Sequence, residues 1–420
     1  IITSENINES IPFINMFIKF FGINDPSFLP LYFTLAFCIF VLSSMFLRIF
    51  NIAYISRLSA KVNIDISNLI FRNNMYQSYY QYTNKNSSEI ISMALQKVEM
   101  ATSCIDYLLT VIASSLIGIS IIISLLIINW QVVLIGVVFI YFYYFTVYQN
   151  IKRFLFRDGQ VTSKVIPLRQ KVLQEGLEGY KDIVINNLEK VYTKLFNKYH
   201  SAFKVKQSNA NVYISIPRIL LEGIILLVIV ILAYFLFNSK LNFISYLPII
   251  GSFIYAFQRL LPLTQLIYAA LANYKYKSVV IKEVVNDLEE GKNNQALYLS
   301  RKKIDFKKDI SFKNISFDFN NENKILDNLN FSISKGDIVG IYGETGSGKS
   351  TLLDIIMGLV SPSRGFISID NFDISPNNFI YNWTINFSHV PQNIFLKEAS
   401  IEENIAFGEE PENIDFDLLV

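Results

Sequence analysis

The sequence predicts a multidomain membrane protein in which an α-helical transmembrane bundle is followed by a partial α/β domain. Two observations support this fold class. Long apolar runs are concentrated in residues 1–285, whereas residues 304–420 are more polar and show short alternating strands. The second part also contains a short apolar run that leads into a glycine-rich loop and then a helical pattern, which is the order of elements that this class of domain requires.

The composition excludes several classes of protein. The chain has 420 residues, of which 52% are hydrophobic and only 17% are charged. Soluble domains average about 45–50% apolar and about 25% charged residues. A disordered, collagen-like or disulfide-scaffold protein is excluded on the same grounds. Because 37 basic and 35 acidic residues give a net charge of only +2, no nucleic-acid partner is predicted.

Five apolar runs are long enough to be membrane helices, which need about 20 mostly apolar residues. A polar break at Asn129, Trp130 and Gln131 separates the second run from the third. Since the core of a soluble protein rarely needs five such runs, the lipid bilayer is a predicted partner of residues 1–285. The predicted spans are 27–50, 104–129, 131–152, 215–239 and 243–270.

The distribution of lysine and arginine predicts the orientation of the spans. The long segments between spans one and two and between spans three and four carry most of these residues. The short connections carry almost none. We therefore expect the long segments to be cytoplasmic helix extensions and the carboxyl-terminal domain to lie in the cytoplasm. The amino end then lies outside without a recognisable signal peptide, so we expect an earlier span to be missing.

The glycine-rich loop has the spacing of a phosphate-binding loop. The apolar run Asp337–Tyr342 is predicted to be the strand before it, and residues 352–357 are predicted to continue the helix after it. The loop and the start of the helix consist of Gly343, Glu344, Thr345, Gly346, Ser347, Gly348, Lys349, Ser350 and Thr351. All nine are predicted to bind the nucleotide, and the loop predicts that the α/β domain is of the P-loop NTPase class.

The chemistry of phosphate binding explains these residue types. The glycines let the backbone curl so that successive N–H groups point at phosphate oxygens, and the helix start adds the positive end of its dipole. Lys349 is expected to reach the β- and γ-phosphates, and the Ser350 hydroxyl to bind Mg²⁺. ATP and Mg²⁺ are therefore the predicted cofactors.

With these motifs, the carboxyl-terminal part resembles the nucleotide-binding domain of ABC transporters. Phe317-Asp318-Phe319 before Lys324-Ile325-Leu326 resembles the adenine-stacking region, with Phe319 at the aromatic position. An alternative is that Phe319 only faces the core. His389-Val390-Pro391-Gln392 resembles the Q-loop, which implies that Gln392 touches Mg²⁺ and the attacking water. Lys349 and Gln392 are the predicted catalytic residues, whereas His389 is expected to be structural.

The resemblance implies a subunit of an exporter with six spans, of which the first is absent here. The signature motif, the second acidic strand with its catalytic glutamate and the switch histidine are not found before Val420. We therefore expect a chain truncated at both ends, with residues 304–420 forming the amino-terminal part of the nucleotide domain after a polar linker, 286–303. The full-length protein is expected to be a transport ATPase in a bacterial cytoplasmic membrane, paired with a second half-transporter subunit in a homodimer. This fragment is expected to be inactive.

Two helix tips are candidates for docking on the nucleotide domains, as the resemblance implies. They are Tyr76–Tyr82 and Leu177–Val184. The alternative is that both are plain tips of helical hairpins.

Three arginines in the cytoplasmic half of the spans are candidate substrate ligands: Arg48, Arg218 and Arg259. They either snorkel to the inner headgroups or form a basic belt that holds an anionic headgroup such as a pyrophosphate. Arg218 and Glu222 lie four residues apart and can pair.

The sequence around Arg218 and Arg259 is similar to that of bacterial lipid-linked oligosaccharide flippases. This similarity favours ATP-driven flipping of an amphipathic, lipid-linked oligo- or polysaccharide by alternating access. A peptide, multidrug or lipid exporter is the alternative cargo class, and an ATP-gated regulator or channel is an alternative of another kind.

Overall fold

The protein is described by a computed structural model, which covers residues 29–83, 85–238, 243–299, 304–319, 323–370, 372–374, 383–392, 394–415 and 417. The chain divides into two compact units. The first consists of Ile1–Tyr76 and Asn84–Lys292, and the second of Gln77–Thr83 and Asn293–Val420. The first unit is helical, and the second is built on a small sheet.

The helices follow one another along the chain with short interruptions. They are α1 (Leu29–Met75), α2 (Tyr79–Thr83), α3 (Ser87–Ile91), α4 (Val98–Glu178), α5 (Tyr180–Ile185), α6 (Glu189–Asn238), α7 (Phe243–Lys277) and α8 (Ile281–Leu299). A π-helical turn at Ser92–Lys97 joins α3 to α4, and a 3₁₀ turn at Ser278–Val280 joins α7 to α8. The two predicted docking tips overlap with the short helices α2 and α5.

The 81-residue helical stretch α4 folds back on itself. Arg169 near its end donates a hydrogen bond of 3.0 Å to Gln96, 73 residues earlier and just before its start. A straight helix would separate these residues by about 110 Å. Leu125 and Val133 also pack in one cluster with Leu260 of α7. The reversal therefore lies near the predicted polar break, and α4 provides two antiparallel limbs.

Four helical stretches have the length and composition of membrane spans: Leu31–Met75, Ser87–Ile127, Val133–Glu178 and Glu189–Ile231. They overlap the first four predicted spans, of which residues 27–30, 128–129, 131–132 and 232–239 lie outside these stretches. The fifth predicted span, 243–270, lies in α7, where many side chains fall outside the described residues. Large apolar side chains such as Phe40, Ile127 and Phe235 are exposed on these helices, as lipid contact requires.

Polar contacts join the helices beyond the apolar spans. The Glu283 carboxylate of α8 accepts hydrogen bonds from Lys97 (2.6 Å) and from Ser163 on the second limb of α4 (2.8 Å). The buried Asp158 of the same limb pairs with Lys206 of α6 at 2.8 Å. Removing one member of a buried pair leaves an uncompensated charge and costs about 3–5 kcal/mol. These contacts hold α4, α6 and α8 in register.

A glycine allows the second limb of α4 to approach α7 closely. A Cβ at Gly159 would collide with the backbone oxygen of Tyr276 and would lie 3.2 Å from the Val279 side chain. Next to this point, the Thr162 and Tyr276 hydroxyls share a hydrogen bond of 2.9 Å. The two helices are therefore in backbone contact here, which no larger residue at position 159 would permit.

Most of the expected linker 286–303 is helical. Residues 286–299 belong to α8, which is held to the first unit by both apolar and charged contacts. Val284 packs in a buried cluster with Ile70 and Val98. Lys85 lies 3.7 Å from Asp287 and 3.8 Å from Glu290. Of its charged side chains, Glu289 and Glu290 are exposed.

The second unit is a four-stranded antiparallel sheet in the order β2-β1-β3-β4. Its strands are β1 (Asp309–Phe319), β2 (Asn323–Ser334), β3 (Arg364–Ile369) and β4 (Phe372–Ile374), and helix α9 (Lys349–Ile356) packs on it. Phe312 and Ile315 of the sheet, Ile355 of α9 and Trp383 form one buried core. The Trp383 ring N–H donates to the Ile356 carbonyl at 2.9 Å, which satisfies one of the free carbonyls at the end of α9.

The predicted strand Asp337–Tyr342 is wrong. These residues are irregular, and none pairs with a strand in the described part of the chain. Ile338 and Tyr342 are almost fully exposed. A strand is defined by hydrogen bonds to its neighbours, and the four described strands pair only with one another. The apolar run alone therefore does not make a strand.

A carboxylate joins the start of β1 to the end of β3. Asp370, at a φ of 48° after β3, accepts hydrogen bonds from the backbone N–H groups of Lys307 (2.7 Å), Lys308 (2.6 Å) and Asp309 (3.1 Å). Desolvation acts to raise the pKa of Asp370, but the three N–H donors and the Lys307 charge outweigh it and lower the pKa. The ionised form is therefore the one that the fold stabilises.

We predict that Asp370→Asn destabilises the second unit at pH 7, and that the difference from the parent protein shrinks as the pH falls below about 4. A lowered pKa in the folded state contributes stability above the unfolded pKa, and this contribution is lost on acidification. Asparagine tolerates the positive φ, so the substitution tests the charge. In a Trp130→Phe background, the fluorescence of Trp383 reports unfolding of this unit. Asp305→Asn, at an exposed carboxylate, is the control; an equal effect of both substitutions would contradict the prediction.

Candidate functional site

The glycine-rich loop lies between the irregular run 338–342 and α9. Gly346 and Gly348 both adopt a φ of +87°, which residues with a Cβ rarely reach. A Cβ at Gly348 would also lie 2.8 Å from Ile325 and 3.0 Å from Leu326, both on β2. Gly348 is therefore required both by its backbone conformation and by its contact with the sheet.

The Lys349 side chain folds over the loop. Its ammonium group donates hydrogen bonds to the backbone oxygens of Gly343 (2.8 Å) and Glu344 (2.7 Å). The positive charge of Lys349 therefore lies against the start of the loop, five and six residues earlier in the chain. A cation held at this place is suited to pair with the oxygens of a phosphate.

Helix α9 begins directly at the loop, with Gly348 as its N-cap. Ser350 is exposed in the first turn, where the backbone N–H groups have no partner within the helix. The other end is anchored, because Ile355 and Ile356 are buried in the core. Burial of one aliphatic side chain contributes about 1.5–3 kcal/mol. The core thus fixes the helix whose start carries the candidate site.

An acidic side chain on α9 lies close to His389. Burial raises the pKa of Asp354, and the nearby His389 partly offsets this rise. His389 itself is exposed. The structural role expected for His389 stays a prediction.

The structure gives the backbone positions of Gln392 and Phe319 but describes only the side chain of Gln392. Gln392 lies in an exposed bend, and no hydrogen bond of its side chain is found among the described residues. Phe319 ends β1, paired with Asn323, and its ring lies outside the described part of the structure. The roles of both residues toward a nucleotide stay predictions.

A compact turn follows Gln392. Ser400 caps α10 (Ile401–Ile405) in a reciprocal capping box with Glu403. The Asn404 side chain accepts from the Lys397 N–H at 2.8 Å and donates to the Lys397 carbonyl at 3.0 Å. This turn was not predicted from the sequence, although Ser-x-x-Glu is the sequence signal of a capping box.

The arginines predicted as substrate ligands lie on three different helices. Arg48 of α1, Arg218 of α6 and Arg259 of α7 are all exposed in the isolated chain. The predicted pair of Arg218 and Glu222 is confirmed, with the Arg218 Nε donating to the Glu222 carboxylate at 2.8 Å. A paired carboxylate reduces the net charge that Arg218 offers to an anion.

Two family models match the sequence. The model of the ABC transporter transmembrane region matches residues 7–261 of 420, and the ABC transporter model matches residues 326–418. The second match contains the phosphate loop and Gln392. Together they support a membrane domain fused to an ATP-binding domain.

Two curated relatives resemble the chain over most of its length. The ATP-dependent lipid A-core flippase of Wigglesworthia glossinidia brevipalpis is 25% identical over 84% of this chain and 61% of its own. The multidrug resistance-like ATP-binding protein MdlA of Buchnera aphidicola subsp. Baizongia pistaciae is 26% identical over 88% of this chain and 63% of its own. The chain thus spans less than two thirds of the length of both relatives.

The fold has a counterpart among solved structures. A bacterial Atm1-family ABC exporter with ATP bound matches with a TM-score of 0.64 at 17% identity, over 95% of this chain and 71% of that one. The membrane-spanning helices and these bacterial relatives indicate a multi-pass inner-membrane protein with its ATP-binding part in the cytoplasm. Since the transmembrane-region model alone covers residues 7–261, the chain belongs to the ABC transporter family, with the exporter fold of its membrane domain.

Proposed function

We propose that the protein couples ATP hydrolysis to the export or flipping of an amphipathic, anionic, lipid-linked substrate, with a lipid-linked oligo- or polysaccharide as the best candidate. The geometry of the phosphate loop carries the ATP-dependent part of this proposal. A lysine ammonium lies 2.8 and 2.7 Å from two loop carbonyls at the start of an anchored helix. This combination of cation, glycine backbone and helix start suits a triphosphate.

The residues of this loop also fit Mg²⁺ bound together with ATP. Ser350 offers an exposed hydroxyl in the first turn of α9, and Gln392 offers an exposed amide oxygen. Both are oxygen donors, which Mg²⁺ prefers. When bound, Mg²⁺ would neutralise the phosphate oxygens, while Lys349 holds the β- and γ-phosphates and Phe319 stacks on the adenine. Domains 1–285 and 304–420 would then act together with those of a second subunit as an alternating-access exporter.

Exposed apolar residues at the second helix tip support docking of that tip on a nucleotide domain. Leu177, Tyr180 and Ile185 are each about two-thirds exposed or more, while Ile183 anchors the tip in the first unit. An exposed apolar patch at a helix tip is typical of an interaction site.

The anionic substrate is supported by the three arginines and by the resemblance to flippases. Arginine binds phosphate oxygens through its planar fork. The relative named lipid A-core flippase is in line with a lipid cargo. A second candidate is a multidrug exporter, which the MdlA relative and the carboxylate of Glu222 favour, since that carboxylate would attract a cationic drug.

We predict that Lys349→Ala weakens MgATP binding at least about tenfold, equivalent to about 1.4 kcal/mol, and abolishes ATPase activity in the intact transporter. Removing the ammonium leaves the phosphate charge without its main partner. Binding of a fluorescent ATP analogue and phosphate release are the measurements. Lys335→Ala, at an exposed lysine of the same unit, is the control, and unchanged binding by the Lys349 variant would refute the proposed site.

A second prediction concerns the shape of the loop. Gly348→Ala should reduce ATP binding strongly, because the new methyl group would contact Ile325 and Leu326 and displace the loop. Gly336→Ala is the matched control, since Gly336 also has a positive φ, of +97°, but nothing within 4 Å of its Cβ position. If both substitutions reduced ATP binding equally, the contact with β2 would not matter for the site.

A third prediction separates the two cargo classes. For an anionic lipid, Arg218→Ala and Arg259→Ala should lower the amount flipped per ATP hydrolysed at least about tenfold. Glu222→Gln should instead lower the KM for the anion, because it frees Arg218 from its partner. The assay is transport of a fluorescent lipid-pyrophosphate glycan in proteoliposomes, with Arg57→Ala as the control. Unchanged flipping by both alanine variants, with loss of cationic dye export by Glu222→Gln, would favour the multidrug alternative.

A further inference from the structure

Pro217 interrupts the hydrogen-bond ladder inside the long helix α6. Proline has no backbone N–H, and its ring displaces the carbonyl of the residue four positions earlier. The affected carbonyl is that of Tyr213. Pro217 is fully buried, so water does not reach this turn of the helix freely. The Tyr213 carbonyl therefore needs a donor from another helix.

Side chains of two neighbouring helices supply donors at this turn. The Tyr268 hydroxyl of α7 donates to the Tyr213 carbonyl at 2.9 Å, and Tyr268 is only 3% exposed. The Tyr143 hydroxyl of α4 donates to the Pro217 carbonyl at 2.8 Å. Two carbonyls at the turn that proline disrupts thus accept hydrogen bonds, one from α7 and one from α4.

Gln265 of α7 adds a third donor. Its amide nitrogen donates to the Ile214 carbonyl at 3.2 Å, while its amide oxygen accepts from the Tyr144 hydroxyl at 3.2 Å. A backbone carbonyl only accepts hydrogen bonds, so the amide nitrogen must face Ile214. Gln265 therefore links α4 to α6.

These contacts form one device, which we call the Pro217 clasp: Tyr143, Tyr144, Gln265 and Tyr268. Tyr144 and Tyr268 pack in an apolar cluster with Leu155, Ala210 and Ala272, and Tyr143 packs against the neighbouring cluster that contains Leu221. In such surroundings a carbonyl without a donor is costly, and tertiary contacts are a known way to satisfy a proline turn within a membrane helix. The clasp therefore acts on the backbone of α6.

We infer that Tyr268 and Gln265, assisted by Tyr143, are positioning residues that fix the direction of α6 on the two sides of Pro217. Arg218 follows the proline directly, and Glu222 lies one turn further. The clasp thus determines the position of this charged pair relative to α4 and α7. The clasp has this role in α6 whichever class of cargo is transported.

A double-mutant cycle tests whether the Tyr268 hydroxyl compensates for the proline. Tyr268→Phe should lower the Tm of the intact protein by several degrees in the Pro217 background. In the Pro217→Ala background its effect should fall to less than half, because alanine restores the backbone N–H that the Tyr213 carbonyl lacks. Equal effects in both backgrounds would overturn the inference.

Tyr148→Phe is the matched control. Tyr148 is a partly buried tyrosine packed against the same cluster, and its hydroxyl has no hydrogen bond within the described residues. If Pro217→Ala does not accumulate as folded protein, the inference is tested by comparing the Tm of Tyr268→Phe with that of Tyr148→Phe. Equal Tm values for these two variants would overturn the inference.

A distance measurement tests positioning directly. With Cys38 and Cys104 replaced by serine and alanine, spin labels at Ser208 and Leu227 report across the proline, about 28 Å apart along a regular helix. Both sites are exposed. In labelled protein diluted with unlabelled protein, Tyr268→Phe with Gln265→Met should broaden or shift the distance distribution, whereas Tyr148→Phe should not. An unchanged distribution in the double variant would show that the clasp does not direct α6.

Discussion

Backbone groups that are removed from water must find hydrogen-bond partners, and this requirement shapes both units of the protein. In the apolar segments it is met within the helices, which is why the first unit is almost entirely helical. Where Pro217 breaks the ladder, side chains of α4 and α7 complete it. In the second unit the same requirement is met by pairing between strands. The apolar run 338–342 has no such partners among the described residues and stays irregular and exposed.

The helices of the first unit are held together differently along their length. Apolar clusters such as that of Ile140, Leu221 and Phe257 join α4, α6 and α7 in the spans. Beyond the spans, single polar groups bridge several helices. The Glu283 carboxylate, for example, accepts hydrogen bonds from both Lys97 and Ser163. Such contacts are directional, so they specify the register of helices that apolar packing alone would leave less defined. When a transporter changes conformation, helices that share such a polar group either move together or lose its hydrogen bonds.

Two cationic side chains that are predicted to bind anionic ligands already have partners within the protein. Arg218, predicted as an anion ligand, already holds the Glu222 carboxylate at 2.8 Å. Lys349, predicted to reach phosphates, holds two loop carbonyls. Both cations therefore exchange one set of partners for another if a ligand binds, and the net gain is smaller than the charge alone implies. Affinity at either site depends on this exchange.

The sequence by itself determined the class of each unit and the position of the phosphate loop, because apolar run length and glycine spacing are local properties. It also predicted the pairing of Arg218 with Glu222, since residues four apart meet on one helix face. It did not predict that 338–342 lacks strand partners among the described residues, that residues 286–299 belong to a helix, or that Trp383 anchors the end of α9. Nor did it predict the Pro217 clasp. These features join residues that are distant in sequence, such as Tyr213 and Tyr268, and only the tertiary structure decides which distant groups meet.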